Sequence, residues 1–261
     1  MAQLIRFEIY KQLKRKENLL ILFMFALPLF YCLGVYAHSN IITYNSKELI
    51  NGLTFANDMY TLVYMVFIIF LFLAINSANI LKGEIENGSI SMMLTRVNKR
   101  RRIYYAKFYA QTFYWVIVSL LFVLFCLACY YVFLSKMDIA SGTFAGTNWI
   151  SDLMAIVGIG SFYILIISLV QCLSMYFKSY ASVGMFILLY VIMMYLKSFP
   201  MIQTLIPIYY LGKLIASVDT TDFIKFMVLN WGLVCGLNLI GNRKFKKAIY
   251  KWQPKGGYCG I

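Results

Sequence analysis

Charged residues are scarce in this sequence. They make up 13% of its 261 residues, while 62% are hydrophobic. Soluble domains contain about 25% charged and about 45–50% apolar residues. A soluble fold of this length cannot bury so much apolar surface, so a water-soluble globular protein is excluded. The apolar content also excludes a disordered chain, and the length excludes a small disulfide-stapled domain.

The sequence contains one histidine, His38. The sequence therefore lacks the histidines that a histidine-ligated zinc site needs, and it offers a single candidate for a Ser-His-Asp triad. The chain has six cysteines, and Cys126 and Cys129 have a C-x-x-C spacing. Both lie deep in an apolar run, where a thiol behaves as a small hydrophobic side chain. We therefore expect no metal site, no catalytic residues and no enzymatic activity in this chain.

The apolar residues form six long runs. Five of them are near the roughly 20 residues that cross about 30 Å of hydrocarbon, and the run over 103–134 is longer because its first turn is expected to lie at the interface. Backbone amides cannot remain unpaired in lipid, and the runs lack the alternation of barrel strands, so helices are predicted. The fold class is an all-α integral membrane protein with a single transmembrane domain over residues 1–261. The predicted spans are 19–37, 60–81, 103–134, 153–177, 181–196 and 223–240.

Acidic residues are few, at 10 against 24 basic ones. The six-span topology places 19 of the 24 basic residues on one side of the membrane. Cytoplasmic loops carry the excess of lysine and arginine, so both termini are predicted to be cytoplasmic, including a basic tail over 241–261. The basic clusters adjoin the spans, where anionic lipid headgroups are the expected partner, and nothing in them requires nucleic acid.

Two further segments are irregular. Residues 1–17 place Ile5, Ile9 and Leu13 on one helical stripe, which predicts an amphipathic helix on the inner membrane surface. The alternative is an unstructured basic flank. Residues 198–218 are apolar but contain Pro200 and Pro207. They predict short re-entrant helices that enter from the outer face, with a loop lying on the lipid surface as the alternative.

The loop over 82–102 carries the most informative pattern. Glu84 and Glu86 precede Asn87-Gly88, which can end a helix, and Ser89 can cap the next one. Four consecutive basic residues follow at 99–102. The pattern predicts a short helix across the inner surface. The alternative is a solvated loop whose arginines only set the topology.

This pattern resembles the permease subunit of ABC-2 type transporters. The resemblance rests on Glu84-x-Glu86-x-Gly88-Ser89-x-x-x-x-Leu94, followed by Arg100 and by Lys107 at the start of the next span. Ser89 replaces the usual threonine and keeps the hydroxyl, Met93-Leu94 replaces a leucine pair, and Val97 stands where proline is usual. The topology of the whole chain fits the same family, whose members include permeases of prokaryotic cell membranes.

The resemblance implies that transport and ATP hydrolysis belong to different subunits. The chain has no phosphate-binding G-x-x-x-x-G-K-[ST] motif, so a separate ABC ATPase subunit would bind ATP and Mg²⁺. The chain itself would bind no cofactor. The loop after span two would form a coupling helix in a groove on that ATPase. The docking residues implied are Glu84, Glu86, Gly88, Ser89, Leu94 and Arg100, with Arg101 and Arg102 at the membrane edge.

Six helices would make half of such a transporter, so a second permease, identical or related, is expected. The spans carry no charge at their centres, which favours amphipathic or hydrophobic cargo such as a peptide, toxin or drug. Polar side chains inside the spans either line the path or only join helices. These candidates are Asn76, Asn79, Gln111, Thr112, Gln171, Asn230 and Asn238.

Two other functions are compatible with the sequence. A membrane immunity or sensor protein that sequesters a toxic peptide without exporting it would have the same architecture. An integral membrane enzyme would need clustered acids or histidines at the membrane edge. The ten acids show no repeated spacing of that kind, so the enzyme is the weaker alternative.

Overall fold

The computed structural model describes residues 1–15, 18–37, 49–90, 93, 100–216 and 219–251. Helices account for nearly all regular structure in these residues, and the β-pairing there is one isolated parallel bridge between Ile50 and Ala140. The helices are α1 (Ala2–Leu13), α2 (Leu19–Tyr36), α3 (Gly52–Met65), α4 (Phe67–Ala78), α5 (Glu84–Glu86), α6 (Arg100–Cys129), α7 (Trp149–Leu173), α8 (Ser179–Leu196), α9 (Pro207–Ala216) and α10 (Thr220–Lys251). Single π-helical turns follow α4 and α6, at Asn79–Gly83 and Tyr130–Leu134.

Five helical stretches within the described residues are long and apolar enough to cross a membrane. The helix α2 is also apolar, but its stretch Ile21–Tyr36 is shorter than these. The prediction of an all-α, multi-pass membrane protein is therefore confirmed, while a sixth crossing helix stays a prediction. The five stretches are Phe67–Glu86, Arg101–Leu134, Trp149–Leu173, Ser179–Leu196 and Thr220–Lys247.

The second predicted span differs from the expectation of one run over 60–81. An extended residue, Val66 (φ −79°, ψ 106°), separates α3 from α4, and α3 begins at Gly52. The backbone amide of Val66 stays paired at the break, because it donates to the carbonyls of Leu62 and Val63 at 3.2 Å. Interrupted helices are tolerated at membrane depth when such groups stay paired and protein surrounds them.

The helix α7 is the centre of the bundle. Every residue from Ser161 to Ser168 is buried, and α3, α4 and α10 all pack against this helix. Aromatic rings fill the contacts. Tyr163 makes edge-to-face contacts with Tyr60 and Trp115, at ring-centroid distances of 5.9 and 5.4 Å. Such contacts add specific geometry to apolar packing, so this helix fixes the positions of its neighbours.

The segment between α8 and α10 contains short helices, as its prolines predicted. A 3-10 turn (Gln203–Leu205) precedes α9, which starts at Pro207, a favoured first helical position. The buried side chains of Leu211 and Leu214 pack beside Gly158 of α7. The Lys213 ammonium donates to Asp222 of α10 at 3.2 Å.

Candidate functional site

The first helix buries its polar side and exposes apolar side chains. Glu8 and Gln12 are each 1% exposed, whereas Phe7 and Leu13 are more than half exposed. Glu8 and Gln12 are four residues apart, so they lie on one face of the helix, and α1 packs along α6. The structure has a helix over Ala2–Leu13, within the predicted stretch 1–17, while its place on the inner membrane surface stays a prediction. The burial of its polar face was not foreseen.

A lysine is completely enclosed beneath α1. The side chain of Lys107, near the start of α6, is 0% exposed. Its ammonium donates to Glu8 Oε1 at 3.0 Å and to Glu84 Oε2 at 2.6 Å. An unpaired charge in such a place costs several kcal/mol, so the two carboxylates are what allow Lys107 to be buried.

The other carboxylate oxygen of Glu84, Oε1, binds basic residues of α1 and of the turn after it. Glu84 Oε1 accepts hydrogen bonds from Lys11 Nζ at 2.6 Å and from Arg15 Nη2 at 3.4 Å. The Arg15 guanidinium also reaches Asn76 Oδ1 at 3.5 Å. We call this set the inner charge cluster, and it consists of Glu8, Lys11, Arg15, Glu84 and Lys107.

The inner charge cluster brackets the loop over 82–102. Glu84 stands at the beginning of this loop and Lys107 stands a little beyond its end, and both bind α1. A displacement of Glu84 would therefore be passed to α1 and to the N-terminal part of α6 through short, charge-assisted contacts. The sequence reasoning singled out Glu84 and Lys107 but missed Glu8, Lys11 and Arg15. Acidic Glu8 and polar Gln12 on one face of an otherwise apolar and basic helix were the available signal.

Glu86 has a different environment from Glu84. It is exposed, and its Oε1 accepts the backbone N–H of Ser179 at 3.4 Å. The Ser179 hydroxyl donates to Asn79 Oδ1 at 2.8 Å. Ser179 is the first residue of α8, so a carboxylate there also complements the positive end of the helix dipole. Asn79, a candidate for the substrate path, thus lies beside this helix start.

The remaining docking candidates are described only in part. Gly88 adopts a left-handed conformation (φ 70°), in agreement with a helix end at Asn87-Gly88. The Ser89 hydroxyl donates to the Glu84 carbonyl at 3.3 Å, which differs from the capping role expected for it. Leu94, the side chain of Arg100 and most of the short helix predicted after Ser89 lie outside the described residues. Contact of these residues with an ATPase stays a prediction.

Two buried glutamines and a serine join three helices, close to the C-terminal ends of α4 and α7. Gln171 Nε2 of α7 donates to Gln111 Oε1 of α6 at 2.8 Å. Gln111 Nε2 in turn donates to Ser77 Oγ of α4 at 2.5 Å. Both glutamines are almost fully buried. These contacts are the kind by which neutral amides hold membrane helices together.

Two asparagines of α10 bind α7 in the same way. Asn230 Nδ2 donates to the Ser161 carbonyl at 2.9 Å, and Asn238 Nδ2 donates to Ser168 Oγ at 3.0 Å. The Thr112 hydroxyl is buried without a hydrogen-bond partner in the part of the chain that the structure describes. Six of the seven path candidates therefore form polar contacts inside the chain. A role in lining a path stays a prediction for all seven.

Comparisons with known proteins give one family. The family described as "ABC-2 family transporter protein" matches residues 4–194, about three quarters of the chain. The matched stretch includes the inner charge cluster and ends near the end of α8. No curated protein matches this chain. Within the described residues, no group of three or more histidine, cysteine, aspartate or glutamate side chains could hold a metal ion.

Proposed function

The chain belongs to the ABC-2 family of transporter proteins, and on this basis we propose that it is the permease half of an ATP-driven exporter. It is a membrane permease of an ABC transporter, a class that works with an ABC ATPase. In our proposal, it pairs with a second permease, identical or related, and with two separate ATPase subunits. ATP and Mg²⁺ are bound by those ATPases, and this chain carries no catalytic residue.

The inner charge cluster is the observation that supports coupling most directly. ATP-driven closure of an ATPase dimer must be passed to the spans through the loop over 82–102. The cluster joins this loop to α1 and α6, so that the three move as one unit. In the proposal, Glu86, Gly88, Ser89, Leu94 and Arg100 face the ATPase. Glu84 positions the loop from within, because its carboxylate contacts α1 and α6.

The proposed arrangement in the membrane keeps both termini in the cytoplasm of a prokaryotic cell. The helix α2 would be the first of six spans, with α3 and α4 together forming the second. The helix α9 and the turn before it would enter the membrane from the outer face. The packing of α9 against α7 and α10 supports this placement, because a segment at membrane depth needs protein around it.

The chemistry of the spans supports an amphipathic or hydrophobic substrate such as a peptide, toxin or drug. Charged residues within the five long apolar stretches lie near their ends. Ion-coupled transport and proton relays use charged groups at membrane depth, so their scarcity here favours cargo that is itself apolar in part. Export would then follow from alternation of the permease pair driven by ATP.

The proposal is tested in inverted membrane vesicles that contain this chain and its ATPase. With ATP outside, a fluorescent amphipathic peptide should accumulate inside the vesicles. Accumulation should stop when the phosphate-binding lysine of the ATPase is replaced. Binding of the peptide without ATP-dependent accumulation would contradict export and would instead support the non-exporting immunity protein.

A further inference from the structure

A basic groove lies at the inner end of α10, and none of its lining residues belongs to the inner charge cluster. It has a volume of about 240 Å³ and is lined by Tyr176, Ile240, Arg243, Lys244 and Lys247. Tyr176 follows the end of α7, just before α8 begins, so it marks the inner edge of two spans. The groove therefore lies where α10 passes from the apolar part of the bundle to its basic extension.

The helical register of α10 creates the groove. Ile240, Arg243, Lys244 and Lys247 are spaced i, i+3, i+4 and i+7, which places them on one face of the helix. The opposite face is fixed. Phe245 is fully buried, with its ring 5.7 Å from that of Tyr104 on α6. The basic face is thus held in place by packing on the other side of the helix.

The three cations of the groove have no anionic partner in the chain as far as it is described. Arg243, Lys244 and Lys247 form no ion pair with an acidic side chain of the described residues. The Lys244 ammonium lies 4.7 Å from the ring centre of Tyr176, a cation–π contact that leaves its charge uncompensated. Three adjacent positive charges in one groove favour an anion from outside the chain.

From this arrangement we infer a binding site for the phosphate of an anionic phospholipid in the inner leaflet. The arginine fork and two ammonium groups match phosphate oxygens, and Tyr176 occupies the interfacial position that tyrosines favour. The apolar side chain of Ile240, 49% exposed, lies on the spanning side of the cations and would contact the acyl chain. A soluble phosphate or an acidic protein surface would gain nothing from this apolar floor.

The site rests on one part of the proposed function, namely that the chain lies in a membrane with the C-terminal end of α10 on the cytoplasmic side. It does not depend on a partner ATPase, on export or on the loop over 82–102. Basic pockets between membrane helices on the cytoplasmic side are suited to anionic headgroups because the surface potential there already concentrates such lipids. We expect the bound lipid to be retained when the protein is extracted from the membrane.

The test uses the full chain, purified and placed in nanodiscs that contain phosphatidylglycerol and phosphatidylcholine. Lipids retained by the protein are then counted by native mass spectrometry. The groove variant is Arg243→Gln with Lys244→Gln and Lys247→Gln. The matched control removes three exposed basic residues of the same predicted side, as Arg101→Gln with Arg102→Gln and Lys246→Gln. Elution as a single species on size-exclusion chromatography shows that both variants are folded.

The unmodified chain should retain phosphatidylglycerol in preference to phosphatidylcholine. The groove variant should bind phosphatidylglycerol about tenfold more weakly, while the control variant changes about twofold or less. An equal loss in both variants would overturn the site, because it would show a diffuse attraction to surface charge. Displacement of the lipid by millimolar inorganic phosphate would also overturn it, in favour of a soluble anion. Unchanged lipid retention together with loss of ATPase co-purification would assign the groove to a protein partner instead.

Discussion

At the scale of single residues, the enclosed Lys107 gives the most direct test of the inner charge cluster. Lys107→Met would leave Glu8 with a buried charge and no partner among the described residues. Breaking a buried ion pair by removal of one partner costs about 3–5 kcal/mol. We expect a loss of this size in the free energy of unfolding, measured by titration with sodium dodecyl sulfate in mixed micelles.

Two companion variants make this measurement specific. Adding Glu8→Gln to Lys107→Met should restore part of the lost stability, because the uncompensated carboxylate is then removed. Lys213→Met breaks the exposed pair with Asp222 and should change stability little. Equal effects of Lys107→Met and Lys213→Met would show that burial of the first pair has no energetic consequence.

Replacement of Glu84 and replacement of Glu86 should affect the stability of the chain differently. Glu84→Gln should weaken the attachment of α1 and lower the stability of the chain, because Glu84 contacts Lys11, Arg15 and Lys107. Glu86→Gln removes one long contact to Ser179 and should leave stability nearly unchanged. The measurements are thermal unfolding of the purified chain and co-purification with the ATPase.

In this pair of variants, a stable Glu86→Gln protein that no longer retains the ATPase would support direct docking by Glu86. A Glu86→Gln protein that assembles and transports normally would favour the simpler reading, in which this acid only caps α8. From the sequence, Glu84 and Glu86 were both predicted to dock on the ATPase, because the motif shows their spacing but not their burial. Their different burial depends on α1, which is more than 70 residues away along the chain.

At the scale of elements, the packing of the C-terminal half of α10 depends on one close approach, between Gly241 and Tyr104. A Cβ atom at Gly241 would overlap the hydroxyl of Tyr104 and would lie 3.0 Å from its Cζ. Gly241→Ala should therefore destabilise the protein by about 1–3 kcal/mol, as overpacking does, and Tyr104→Phe should relieve part of that cost. Gly232→Ala, on the same helix with no atom within 4 Å of its Cβ, should be tolerated. The free energy of unfolding is measured by denaturant titration for the unmodified chain, Gly241→Ala, Gly241→Ala with Tyr104→Phe, and Gly232→Ala.

The orientation of α10 also has a direct test. In a background without the native cysteines, Lys246→Cys should react with an impermeant thiol reagent only after the cells are opened. Ser46→Cys, in the loop predicted to be external, should react in intact cells. The expectation follows from the distribution of basic residues. Labelling of Lys246→Cys in intact cells would reverse the proposed topology.

The positions of the long apolar helices followed from hydropathy alone, because a run of about 20 apolar residues has few other stable locations. The break at Val66 did not, since it lies in a continuous apolar run with no glycine or proline. Both α3 and α4 pack on α7 on either side of the break, and such long-range packing is not visible in the local sequence. For α1 the stripe of Ile5, Ile9 and Leu13 predicted the helix, but not that its polar face would be buried against α6.

At the scale of the whole molecule, the purified chain should hydrolyse no ATP. Activity should appear only when a separate ATPase subunit is added, because the chain has no phosphate-binding loop motif. A preparation of the complex whose ATPase lacks its phosphate-binding lysine serves as the control for contaminants. Hydrolysis by the permease alone would contradict the proposal.

A second permease is the other expectation at this scale. Cross-linking in native membranes should trap either two copies of this chain or one copy with a related permease. The midline of the assembly is expected near the polar positions of spans one, two and five. The helix α7 is buried by its own chain from Ser161 to Ser168, and this part should stay away from that interface. A single permease per assembly by native mass spectrometry would refute the pairing.

The order of the charged residues along the chain has a consequence for how the protein is made. Translation delivers Glu8, Lys11 and Arg15 first, then Glu84, and Lys107 last. The ammonium group that ends up without any contact with solvent therefore emerges from the ribosome after both of its carboxylate partners. Lys107 can thus pair with Glu8 and Glu84 as it becomes buried. Its ammonium group is then never desolvated without a carboxylate partner during insertion.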